Sequence, residues 1–121
     1  MYQKETKRAL RWIASSKKRL KKFPEEVQES ILHALRQIQI GISPQNTKHL
    51  KSLKGAREII SNHDGNTYRA FYMVSFEEVA VLHVFQKKAK RDKKTPDKEM
   101  KLTRQRMKIV QNVHGKHSVE K

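Results

Sequence analysis

Two β-type runs joined by a short connection constrain this chain more than anything else in it. Thr67-Tyr68-Arg69-Ala70-Phe71-Tyr72-Met73-Val74 and Val79-Ala80-Val81-Leu82-His83-Val84-Phe85-Gln86 are dense in β-branched and aromatic residues, which suit a pleated, packed surface. So short a link leaves the two strands adjacent and antiparallel. Asp64-Gly65-Asn66 ahead of the first run is a turn signal, so Glu58-Ile59-Ile60-Ser61 opens a β-meander. Arg69 then falls inside one strand, and Lys87 and Lys88 fall at the end of its neighbour. Cations on a rigid sheet suit a phosphodiester.

The remaining segments supply helices. Ala9-Leu10-Arg11-Trp12-Ile13 reads as a strand, and Ser15-Ser16 offers a cap for a basic first helix reaching about Phe23. Pro24-Glu25-Glu26 is a helix start, with proline early in the first turn and carboxylates at the positive dipole end. Val27, Ile31, Leu35 and Ile38 recur at helical spacing until Gly41 stops the run, while His33 lies off that stripe and reads as a surface residue. Residues 43–55 read as a loop. After Pro96, the residues Met100, Thr103, Met107 and Val110 mark the core side of a last helix, with Lys98, Lys101, Arg104, Arg106 and Lys108 on its other sides. Periodicity is lost beyond Val113. This order predicts an α+β domain over residues 1–112, with a mainly antiparallel sheet, two N-terminal helices and one C-terminal helix, and a flexible tail over 113–121. The helices are expected on one sheet face, the other staying open for charged side chains.

Composition bounds the chemistry. A chain of 121 residues makes one domain, and without cysteine it has no disulfide or thiolate metal site. It contains no signal-peptide pattern and no apolar run of about 18 residues, so no membrane span is expected and the cytoplasm is the expected compartment. The formal charge of +16 is uneven: residues 1–22 hold nine Lys/Arg against one Glu, residues 87–108 eleven against three acids, and residues 23–86 six against seven. Ends this basic, if they meet, form a face that releases counterions from nucleic acid; an anionic lipid surface or an acidic protein partner is the alternative reading. Lys17 and Lys18 in the first helix, Lys51 and Lys54 in the loop, Lys90 and Arg91 after the sheet, and Lys101 in the last helix are the candidate nucleic-acid contacts.

Several active-site patterns are missing. There is no glycine-rich phosphate loop, no Gly-x-Ser-x-Gly elbow and no His-Glu-x-x-His pair, and Glu58 and Asp64 are the only acids near the Arg69 strand. No metal site or other cofactor is expected; His114 and His117 near the C-terminus are weak ligand candidates. Cation-based chemistry on a phosphate remains. RNA brings its own nucleophile, the 2′-hydroxyl, so a protein need only align it, stabilise the phosphorane and assist two proton transfers. In this reading Arg69 clamps the non-bridging oxygens, Lys87 or Lys88 acts as base or electrostatic stabiliser, and His63 is the candidate for acid or base work. The competing reading makes Arg69 a structural ion pair, the lysines simple phosphate binders and His63 an exposed turn residue.

These residues also carry a resemblance. Trp12-Ile13-Ala14-Ser15-Ser16-Lys17-Lys18, Phe23-Pro24-Glu25-Glu26-Val27-Gln28, Leu53-Lys54-Gly55, Glu58-Ile59, Asp64-Gly65-Asn66-Thr67-Tyr68-Arg69-Ala70 and Leu82-His83-Val84-Phe85-Gln86-Lys87-Lys88, on to Thr95-Pro96, follow one another in the chain. The collinear set resembles the phage-derived Gp49-like branch of the HigB/RelE toxin superfamily, over roughly residues 8 to 110. The resemblance implies a compact RelE-like domain, neutralised by a helix-turn-helix antitoxin, that cuts messenger RNA on the ribosome without metal. Arg69 matches the family's strand arginine, and Lys87-Lys88 its basic pair. The chain departs from related toxins in having Glu58 and Ile60 where they carry lysines, and in lacking a clear counterpart of a late tyrosine. A non-catalytic basic RNA- or DNA-binding protein of the same fold, or a prophage structural or assembly protein, are the alternatives.

Overall fold

The computed structural model describes residues 7–87 and 96–118. The elements run β1 (Ala9–Trp12), α1 (Ser16–Leu20), α2 (Glu25–Gln39), β2 (Thr47–His49), β3 (Arg57–His63), β4 (Asn66–Val74), β5 (Glu78–Lys87) and α3 (Asp97–Ser118). The strands form one sheet in the order β1-β5-β4-β3-β2, antiparallel except for β1, which lies parallel to β5. This is the expected α+β architecture, consistent with a RelE-like fold. No helix among the described residues is long and apolar enough to cross a membrane.

The β3–β4 hairpin is built by its turn. Asp64 and Gly65 both take positive φ, 55° and 81°, and His63 pairs with Asn66 across them. Such a two-residue loop twists in the same sense as the strands it joins, and Gly65 reaches its conformation at no steric cost. Register follows from that turn. Ser61 and Tyr68 face one side, Ile60 and Arg69 the other, and so on in alternation along the ladder.

The side of Tyr68, Ala70 and Tyr72 is closed by α2. Val27, Ile31 and Leu35 are fully buried there against Ile59, Val79, Val81 and Val84, with Leu20 of α1 at the border. Each such side chain contributes about 1.5–3 kcal/mol by leaving water. The opposite side is not open as the sequence suggested. There Met100, Met107 and Val110 of α3 pack on Phe71, Ala80, Leu82 and Phe85, and Leu50 and Ala56 of the β2–β3 connection join them. Gly55 takes φ +96°, a conformation that favours glycine, and a Cβ there would stand 3.0 Å from Met107 Cε, so the methionine tip would have to shift slightly to accept one.

Other expectations change in detail. The segment read as a loop over 43–55 contains β2, pairing with β3 through Thr47↔Ile59 and His49↔Arg57. Helix α1 stops at Leu20, short of Phe23. Helix α3 runs to Ser118, past the end of its apolar periodicity. Arg106, expected on the outer side of α3, is buried against the sheet.

Strand β1 reaches only Glu78–Val81 of β5. Beyond it, the Leu82 carbonyl accepts from Arg106 Nη1 (2.9 Å) and the Val84 carbonyl from Arg19 Nε (3.1 Å). The two basic ends of the chain therefore pack on opposite faces of the sheet yet meet along this margin of β5.

Candidate nucleic-acid interface

The α3 side of the sheet carries the polar groups. Glu58, His83, Lys87, Thr103 and Arg106 are all buried. Arg69 pairs with Phe85 and Thr67 with Lys87, so Arg69 and Lys87 share this face as diagonal neighbours on adjoining strands. Diagonal neighbours lie about 7–8 Å apart, close enough for both cations to reach one phosphate group. Arg69 Nη1 donates to Glu58 Oε1 at 2.9 Å, across the diagonal of the β3–β4 ladder, and the buried Arg69 Nε has no hydrogen-bond partner. Glu58 thus orients the guanidinium, whose Nε keeps unused donor capacity. Because a buried donor is nearly always paired, an acceptor arriving at Nε gains an interaction that water does not supply there.

The other residues expected at the site divide by position. Lys51 and Lys54 are exposed on the β2–β3 connection, and Lys101 is exposed on α3; these two elements touch through Ser52 Oγ and Met100 Sδ at 3.9 Å. Lys17 and Lys18 are exposed on α1, which packs beside β5. Lys88, Lys90 and Arg91 lie outside the described residues. His63 is not brought to Arg69. It pairs with Asn66 on the α2 side of the sheet, 3.9 Å from Glu26 Oε1, so the pleat puts it on the opposite face from the two cations.

A second polar group, not foreseen from the sequence, holds α3 to β5. His83 is wholly buried and stacks on Phe85, with ring centroids 5.4 Å apart. Its Nε2 is 2.6 Å from Glu99 Oε1, and its Nδ1 is 3.4 Å from Arg106 Nη1. Burial pushes the imidazole pKa below its ordinary value of 6.5, outweighing the hydrogen bond and attraction of Glu99; Arg106 and Arg19 add to the lowering. The neutral ring fits its partners. Nε2–H donates to the carboxylate, while Nδ1 accepts from the guanidinium. Burial and the proximity of Arg19 likewise lower Arg106, which remains a cation. Since Phe85 is also the cross-strand partner of Arg69, this cluster abuts the candidate site. The spacing Glu99, Thr103, Arg106 along one side of a helix was the available signal, hidden among the cations of α3.

A small mixed sheet with helices on both faces and a basic pair on its α3 side is consistent with a RelE-like domain. The family model described as Phage derived protein Gp49-like (DUF891) matches residues 18–108, and the chain belongs to this family of the RelE superfamily. Among curated proteins no match was found.

Proposed function

We propose that this chain is the toxin of a type II toxin-antitoxin pair, an endoribonuclease that cleaves messenger RNA, on the ribosome, by attack of the 2′-hydroxyl on the adjacent phosphodiester. The observation that carries this reading is the placement of Arg69 beside Lys87 on one rigid sheet face, with Arg69 Nε buried and unpartnered. A phosphorane holds more negative charge than a ground-state phosphate, so a fixed guanidinium is worth more in the transition state than in binding. Lys87 adds a second positive charge to the same phosphate, and Lys51, Lys54 and Lys101 extend the basic surface toward the other end of the sheet. A cytoplasmic helix-turn-helix antitoxin is the proposed partner. His63, on the other face, takes no part in this scheme; Glu58 serves to orient Arg69.

The Glu58 carboxylate on Arg69 also favours a second reading, in which the arginine is a structural ion pair and the basic surface binds RNA or DNA without cutting it. Induction in cells of wild type and Arg69→Ala, with mapping of mRNA 5′ ends, separates the two. New ends that depend on Arg69, and products with a 2′,3′-cyclic phosphate formed in EDTA, are expected. Tight RNA binding by wild type with no cleavage of free or translated message would replace the enzyme reading with the binding module.

A further inference from the structure

The exposed apolar side chains collect at the end of the molecule remote from Lys87. Among the described residues the exposed large hydrophobics are Ile40, Ile42, Val74, Phe76 and Ile109, with Phe76 91 % exposed. Ile40 and Ile42 follow the C-terminus of α2, Val74 ends β4, Phe76 lies in the β4–β5 turn, and Ile109 is on α3. Arg8 ties the first of these regions to the turn, donating from Nε to the Ser75 carbonyl (2.8 Å) and from Nη1 to the Ile38 carbonyl (3.2 Å). On the α3 side, Met73, Val74, Ala80 and Val110 line a cavity of about 80 Å³ that Glu78 and Gln111 border. That is far below the size of a cofactor pocket, roughly 300 Å³ and upward, and suits the tip of a single aliphatic side chain.

Charge at this end identifies the occupant. Arg11 is in register with Ala80 on the cavity side of β1, and its Nε is 3.5 Å from Glu78 Oε2. Both Nε and Nη2 of Arg11 are buried without a hydrogen-bond partner. Lys7, Arg36 and Lys108 stand exposed around the same end, against the carboxylates of Glu77 and Glu78. A second copy of a chain with a formal charge of +16 would bring like charges together here, and a polynucleotide has no use for the apolar floor.

From this juxtaposition we infer that the Phe76/Ile109 end is a docking surface for an acidic, apolar-bearing segment of a partner protein. One aliphatic side chain of that segment enters the cavity, and a neighbouring carboxylate faces the Arg11 guanidinium, which Glu78 holds from its other side. Strand β5 runs ten residues from Glu78 at this end to Lys87 at the other, so at about 3.3 Å per residue Lys87 lies about 30 Å away and Arg69, opposite Phe85, about 23 Å away. A short segment bound here leaves Arg69 and Lys87 uncovered. The inference does not rest on the endoribonuclease reading.

The test is an amide-shift titration of the full-length isotope-labelled protein with two synthetic peptides of equal length and charge, one of Leu and Glu, the other of Ser and Glu. The Leu/Glu peptide is expected to shift the amides of Met73, Val74, Phe76, Ala80 and Ile109, and the Ser/Glu peptide to leave them in place. Phe76→Ser and Ile109→Ser, both at exposed positions, should each weaken the Leu/Glu peptide tenfold or more, and Arg11→Gln several-fold, while Arg69→Ala leaves its affinity unchanged. Shifts centred on Arg69, Lys54 and Lys101 for both peptides, or unaltered affinity in the Phe76 and Ile109 variants, overturn the inference. So does a dimer by sedimentation that Phe76→Ser dissociates, because the occupant would then be a second copy.

Discussion

The two faces of the sheet are packed by different means. Under α2 the contact is mainly apolar, with Val27, Ile31, Leu35, Ala70, Val81 and Val84 all fully enclosed. Under α3 a smaller apolar cluster shares the face with Glu58 and Arg69 and with the His83, Glu99 and Arg106 group. The difference teaches where stability and chemistry are divided in so small a domain. Apolar burial on one face supports the fold, which frees the other to hold charged groups in low dielectric, where they are costly to bury but strongly directed.

Breaking that division should give graded effects. Leu35→Ala opens a cavity in the α2 face and is expected to lower unfolding free energy by about 2–5 kcal/mol, while leaving RNA affinity of the remaining folded protein unaltered; denaturant melts and binding isotherms check both halves. Arg69→Ala should act mainly on the chemistry. Single-turnover cleavage by the folded protein is expected to fall about a hundredfold or more, in the range for removal of one preorganised transition-state donor, with little change in binding, while the buried Glu58 carboxylate left without its partner lowers the melting temperature as well. An affinity loss as large as the rate loss would show that Arg69 only binds.

His83→Phe sharpens the comparison on the stability axis. It keeps a ring against Phe85 but strands Glu99 and Arg106, at a cost of about 1–3 kcal/mol near neutral pH. The folded-state pKa of His83 is depressed, so below about 6.5 the unfolded chain takes up a proton that the folded chain does not. Wild-type stability from this source is complete above 6.5 and is lost as pH falls below it. The difference between wild type and His83→Phe should therefore narrow on acidification; a gap that widens would mean that the imidazole is charged in the fold. The smallest effect is expected from Lys101→Ala, which should weaken RNA binding modestly and flatten its dependence on salt concentration by about one phosphate contact.

How much of this was legible in the sequence depends on the length of the pattern each element offers. The runs of β4 and β5 and the Val27, Ile31, Leu35, Ile38 stripe of α2 are long enough for their period to declare itself, and Arg69 and Lys87 were placed through them. Strand β2 is three residues at the sheet edge inside a polar, basic segment, and it exists through pairing with β3 rather than through its own residues. Helix α3 is so rich in cations that its narrow apolar stripe does not show which sheet face it covers, nor that Arg106 turns inward. The position of His63 was readable in principle. A two-residue turn at Asp64-Gly65 pairs His63 with Asn66, three residues before Arg69, and an odd separation along a strand means opposite faces.

The arginines along the margin of β5 have a consequence for association. Past the end of β1, this strand would present bare carbonyls to any extended segment it met, the arrangement through which sheet proteins join edge to edge and aggregate. Arg106 and Arg19 occupy the Leu82 and Val84 carbonyls, respectively, with guanidinium groups, which accept no hydrogen bond and repel another basic chain. The same kind of positive charge to which the proposed function assigns nucleic-acid binding thus keeps this strand from becoming a template for polymerisation.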